Sequence, residues 1–227
     1  MRLRRWLEGL LRRPVFDALT NARIHAVVAP YVESVLGPMG FVAADDLKWV
    51  RDRFAPIRHV FSLSKYKGGS LYPAWGVSLD FVPHVSGDQI RWHRSNAAAR
   101  LDLSLDARNM MANALRMSYT EGEASVRRDH MRVIGAAIHE AEAFWGRCET
   151  EADLTETVQW LKVELSGRAL SFYNFTQHRL AAAFILAKAG REIEAGAELD
   201  NHPYRPNVGE KLESLVRAAA APSSTPA

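Results

Sequence analysis

A single cysteine, Cys148, among 227 residues leaves no internal disulfide framework and no multi-cysteine zinc site. A reducing compartment, and hence a cytoplasmic setting, is the natural expectation. Long apolar runs are missing too. The longest, around Leu180–Ala189, is ten residues and already contains Lys188, well short of the roughly 20 that cross a bilayer. The basic start leads into Glu8, Arg12 and Arg13 and not into an apolar stretch, so no secretory signal is expected. Lysine is scarce, at 6 against 23 arginines, a bias of the kind that GC-rich genomes impose. Catalytic signatures are absent as well. Gly68-Gly69 joins strand to strand without a following P-loop lysine, which excludes a phosphate cradle. No Gly-x-Ser-x-Gly elbow and no Rossmann glycine pattern stands at a strand-to-helix junction.

Charge is present but unevenly placed. Five arginines and one glutamate give residues 1–13 a charge of +4, which leaves −1 for the remainder of a chain whose total is +3. Nucleic-acid binders spread their basic footprint along a face of the domain, so nucleic acid is not an expected partner. Leu3, Trp6, Leu7, Leu10 and Leu11 recur at helical spacing in the same segment. They predict an amphipathic helix over 1–14, stopped by Pro14. Its Arg2, Arg4, Arg5, Trp6, Arg12 and Arg13 are candidate contacts for a protein partner or, weakly, an anionic membrane. The competing reading docks its leucines on the protein's own helices.

The strongest pattern runs from Lys48 to Asp106. Ile57, His59, Phe61 and Leu63 alternate with Arg58, Ser62 and Ser64; Trp75, Val77, Leu79 and Phe81 alternate with Ser78 and Asp80. Ile90 and Trp92 then alternate with Arg91 and His93, and Leu101, Leu103 and Leu105 with Asp102, Ser104 and Asp106. Successive strand residues point to opposite faces, so this predicts an antiparallel sheet of about five strands with one apolar and one polar side. Lys67–Ser70 and Ser86–Asp88 have the composition of hairpin turns.

Helical spacing surrounds the sheet. A helix is expected over 21–36, capped by Thr20 or Asn21, stopped by Gly37-Pro38 and kinked or split at Pro30. After Asp106, helices are expected over 109–117, from Thr120 onward with a Thr120/Glu123 capping box, over 151–166, over 175–198, and from Asn207. Strands followed by helices make the fold class α+β, with helices on one sheet face and a helical C-terminal half. The expected organisation is the basic helix 1–14, an α+β domain 15–150, a helical extension 151–217 packed on it, and a disordered tail 218–227.

Several pieces in order resemble an uncharacterised bacterial family, domain of unknown function 4304. They are a helix ending in Gly40-Phe41, a strand carrying Trp49 as an exposed tryptophan, Val60–Lys65 with its loop, and Trp75–Pro83. The resemblance covers roughly 22–106, with an echo at Leu186–Gly190; where members often carry glutamine near the close of the second strand, this chain has Ser62 and Ser64. It implies a bacterial cytosolic α+β protein. Some relatives lie near polymorphic-toxin genes, which implies an immunity or partner-binding role. The family carries no active site to transfer.

Candidate chemistry therefore falls on the polar sheet face. Arg58, Asp80, Arg91, His93 and Asp102 are the candidate ligand-binding residues. His93 with Asp80 or Asp102 could make a base and its orienting partner; the plainer reading is a solvated face of cross-strand pairs. His59, among apolar neighbours, reads as a hydrogen-bonded core histidine. His139-Glu140 lacks the second histidine of a zinc-protease helix, since Ala143 stands there. No metal and no cofactor is expected. The leading expectation is a non-catalytic protein-interaction module of the immunity or adaptor kind. An enzyme or small-ligand protein on the polar face, or a peripheral membrane protein, are its alternatives.

Overall fold

The computed structural model describes residues 17–107, 115–200 and 204–220. Its sheet is antiparallel throughout, in the order β1 (Val42–Asp45), β2 (Lys48–Phe54), β3 (Ile57–Tyr66), β4 (Ser70–Leu79) and β7 (Leu103–Asp106). A short β8 (Met117–Ser118) pairs with the start of β4. The register pairs Phe61 with Trp75 and Trp75 with Leu105, which stacks the large apolar residues on one face. That face is covered by α1 (Asn21–Leu36) and α2 (Glu123–Trp145). The indole N–H of Trp145 donates to the Gly76 carbonyl at 3.1 Å, tying α2 to the middle of β4. The α+β class and the antiparallel sheet are as the alternation implies.

The remaining helices are α3 (Glu151–Glu164), α4 (Thr176–Lys188), α5 (Glu192–Leu199) and α6 (Pro206–Ala220). Leu154, Leu180, Leu199 and Leu212 belong to the same continuous buried cluster as Trp49, Phe61 and Trp75. Helix α4 is apolar all round, with Leu180 to Ala187 buried without interruption, as a helix enclosed by neighbours must be.

Several boundaries depart from the sequence pattern, each for a local reason. The expected helix over 175–198 is two helices, because Gly190 takes φ +73° and closes α4. Arg191 N–H donates to Leu186 O at 2.8 Å and Gly190 N–H to Ala187 O at 2.9 Å, the two bonds of a Schellman stop. Helix α2 starts at Glu123 behind Gly122 (φ +78°), with no side-chain cap, so the Thr120/Glu123 box does not form. Helix α1 is capped by Thr20 and passes unbroken through Pro30, which lies on its exposed side. Residues 108–114 of the expected 109–117 helix lie outside the described residues, and Met117 is in β8. Helix α6 continues to Ala220, past the expected start of a disordered tail. Trp49 is fully buried, its ring stacked with His25 at 5.9 Å, and not exposed.

The largest difference concerns residues 80–102. Ile90 does not join the main sheet: β5 (His84–Ser86) and β6 (Gln89–Arg91) make a separate two-stranded hairpin. Val82 N–H turns back to Leu79 O at 3.0 Å, ending β4 just before Pro83, whose missing donor cannot extend a ladder. Position β4 next to β7 then falls to Leu103–Asp106, and residues 92–102 return irregularly across the polar face.

Candidate functional site

The register confirms which side chains share the polar face: Arg58 lies opposite Ser78, Ser62 opposite Ala74, and Gly76 opposite Ser104. This face is only partly open to water. Segment 92–102 covers part of it, and Ala99 packs with Val50 and Val60 in a small second apolar cluster. Arg58, Ser78, His93 and Asp102 are all buried. Gly76 matters here, since a Cβ at this position would sit 2.1 Å from the Leu103 carbonyl. Its lack of a side chain permits β7 to pair closely.

Asp102 is the hub. Its backbone N–H donates to Val77 O at 2.8 Å, and its carboxylate accepts three further bonds. These come from Leu79 N–H at 2.7 Å, His93 Nε2–H at 2.7 Å and the Gln177 amide at 2.6 Å. One buried carboxylate thus joins the end of β4, the covering segment and the first turn of α4. Burial pushes the Asp102 carboxyl up, opposed by the bonds from His93, Leu79 and Gln177. Gln177 also donates to Pro83 O at 3.1 Å.

Arg58 and Asp80 form an ion pair. Arg58 further donates to Asn96 Oδ1 at 3.1 Å and Arg94 O at 2.8 Å, while Arg94 donates to Asp80 O at 3.1 Å. Ser78 Oγ accepts from Arg100 N–H at 3.2 Å. The bonds through Arg94, Asn96 and Arg100 hold the covering segment on the sheet. Of the candidate residues, then, His93 meets Asp102 and Arg58 meets Asp80, as two separate pairs. Arg91 joins neither; it is exposed on β6 and bonds Gln89 within its own hairpin. His93 lies in the covering segment, not on a sheet strand, because residues 84–91 form their own hairpin.

The His93–Asp102 pair has the bond length of a catalytic dyad, but it is not placed to act as one. His93 is 1% exposed, and its Nδ1 meets no described partner while its ring sits 5.6 Å from that of His84. A base must come within hydrogen-bond reach of the proton it removes, and with segment 92–102 in place this ring is shielded from solvent. Burial lowers the His84 pKa, helped by the nearby positive charge of Arg100, His93 and Arg91.

Two residues of this region gave no sequence signal. Gln177 and His178 sit on α4, more than 70 positions from the atoms they touch. His178 Nε2 accepts from Ser104 N–H at 3.2 Å and meets its hydroxyl at 3.0 Å, with Phe175 stacked on its ring at 4.5 Å. Burial lowers its pKa to about 3, so it is neutral.

On the apolar face, His59 accepts from Arg51 at 2.5 Å and donates to Cys148 O at 3.1 Å, stacked between Phe54 and Trp145. Burial lowers it to about 4. It is the satisfied core histidine its neighbours imply. Burial pushes the Cys148 thiol up to about 12, far from a thiolate. Among the described residues no three His, Cys, Asp or Glu side chains converge on a metal position, and no helix is long and apolar enough to cross a membrane.

An open apolar cleft lies on the C-terminal helices. This cleft of about 390 Å³ between α5 and α6 is lined by Ala187, Ile193, Leu199, Val216 and Ala220, with Glu192, Asp200 and Glu213 at its rim beside Arg217. Ile193 is 91% exposed. The candidate contacts Arg2, Arg4, Arg5, Trp6, Arg12 and Arg13 lie outside the described residues.

No family model, no curated protein and no solved structure matches the chain.

Proposed function

We propose that this protein is a non-catalytic protein-interaction module that receives a basic amphipathic helix of a partner in the α5–α6 cleft. The observation that carries the reading is Ile193, a large aliphatic side chain left 91% exposed at a cleft of about 390 Å³. An exposed aliphatic residue at a concave apolar site marks a contact surface more often than an isolated one on a convex surface does. Three carboxylates against one arginine at the rim favour a partner with basic residues flanking its apolar ones. The burial of the His93–Asp102 pair supports the same reading, since it withdraws the best acid–base constellation from solvent. The resemblance to domain of unknown function 4304 adds a bacterial, cytoplasmic setting of the immunity or adaptor kind.

The test is a tagged capture from the native host with wild type, Ile193→Asp and Glu213→Lys side by side. Burying one isoleucine contributes about 1.5–3 kcal/mol, so Ile193→Asp weakens the complex by about 10- to 150-fold. A stoichiometric partner retained by wild type and lost from Ile193→Asp is the expected result. A wild-type protein that stays alone, or equal capture by the variants, overturns the reading.

A further inference from the structure

A second cleft lies on the polar side of the sheet, between β2, β3, residues 99–101 and the first turn of α4. It holds about 320 Å³ and is lined by Lys48, Val60, Ser62, Arg100, Leu101 and Gln177 among others. We propose that this cleft binds a small dianion, a phosphate or a short dicarboxylate.

The charge pattern carries the argument. Three partly buried cations elsewhere face carboxylates: Arg58 faces Asp80, Lys162 faces Glu198 at 2.6 Å, and Lys188 faces Glu151 at 3.2 Å; a fourth, Arg51, is held by Met39 O and His59 without one. The two cations of this cleft also face none. Lys48 Nζ donates to the carbonyls of Ala97 at 2.8 Å and Ala99 at 3.1 Å, which uses two of its three N–H groups and neutralises none of its charge. The Arg100 guanidinium has no hydrogen bond or ion pair among the described residues, although its backbone is fixed on Ser78. The two are close enough to feel each other. The Lys48 pKa is lowered by burial; the Asp45 carboxylate opposes this, and Arg100 adds a smaller lowering. Asp102 gives no compensation, since it is fully buried and its oxygens already accept from three donors.

Two like charges converging on one concavity are stabilised by an anion that bridges them. Val60 and Leu101 supply a short apolar wall, while the Gln177 amide is spent on Asp102 and Pro83 and the Ser62 hydroxyl on Ala74 O, so the anion contacts fall to the remaining N–H of Lys48 and the Arg100 guanidinium. A volume of about 320 Å³ is at the small end of ligand sites, which limits the occupant to a few heavy atoms beyond its charged ends. The site is independent of the α5–α6 cleft and of any partner bound there.

Isothermal titration of the full chain at an ionic strength of about 0.15 M, with inorganic phosphate and separately with succinate, tests the proposal. Saturable one-site binding of at least one of them is expected, weakened about tenfold or more by Arg100→Gln, the loss of one charge-assisted contact. Arg100 is exposed, so this variant keeps the fold; Lys48→Met supplies the second cation test. Arg91→Gln, outside the cleft, retains binding within about twofold, since a distant surface charge adds little in salt. Absence of saturable binding by both anions overturns the proposal. So does an equal loss in Arg91→Gln and Arg100→Gln, which would mean general surface charge.

Discussion

Replacing Asp102 with alanine removes the acceptor of three buried donors at once: Leu79 N–H, His93 Nε2–H and the Gln177 amide. Each donor left buried without a partner costs about 1–3 kcal/mol, bounding the loss between about 3 and 9 kcal/mol. Two effects pull toward the lower end. Burial already disfavours the charged Asp102 carboxylate, so removing it returns part of that cost, and the vacated space admits a water that can accept from one donor. The expected loss is about 3–5 kcal/mol, a fifth or more of the about 5–15 kcal/mol that holds a typical domain folded. Asp102→Asn keeps one carbonyl oxygen and sets its amide against a donor, so it falls between alanine and wild type. Urea unfolding at neutral pH measures both. A loss below about 1 kcal/mol for Asp102→Ala refutes the assignment of Asp102 as the clasp between sheet, covering segment and α4.

Further outcomes follow from the same structure. His59 and His178 have folded pKa values lowered to about 4 and about 3 by burial. Their stabilisation is complete above the unfolded value of about 6.5 and is lost as pH falls from there toward the folded values. Near pH 5.5 the two together cost about 2–3 kcal/mol relative to about pH 7.5. Asp102, raised by burial, works in the opposite direction above its ordinary value of 3.8 and offsets part of this loss. Urea midpoints that do not move between those pH values contradict this. Gly76→Ala places a methyl 2.1 Å from Leu103 O and 2.8 Å from Ser104 Cα; overpacking at the β4–β7 pair costs about 1–3 kcal/mol or more, read as a lowered Tm. A neutral Tm change would show that β7 can shift aside. Cys148, buried with its thiol pushed up to about 12, stays unlabelled by a thiol reagent in native protein and labels on denaturation; rapid native labelling is the contrary result.

The period of two made the sheet legible because Phe61, Trp75 and Leu105 share a face in the sequence as they do in space. Thr20 as a cap and Gly37-Pro38 as a stop were equally local signals. Alternation could not show what covers the polar face, because that cover is residues 92–102 folding back over strands up to 50 positions earlier. Ile90 alternates like a sheet strand, yet the turn at Leu79–Val82 diverts it into a separate hairpin. Residue type offered His93 a partner in Asp80 or Asp102; only the fold selects Asp102, and His93 reaches it from the covering segment and not from a sheet strand. Gln177 and His178 read as ordinary helix residues, and only tertiary packing brings them to Asp102 and Ser104.

Whether segment 92–102 is a wall or a lid decides between a sealed structural pair and an acid–base site. Native-state hydrogen exchange at the Leu79 and Asp102 amides, bonded to Asp102 Oδ2 and Val77 O, measures this directly. The account predicts that both exchange with the slowest core amides, through global unfolding. Fast exchange at these two amides, with Phe61 and Trp75 still protected, would make the segment a lid and return the polar face to catalysis.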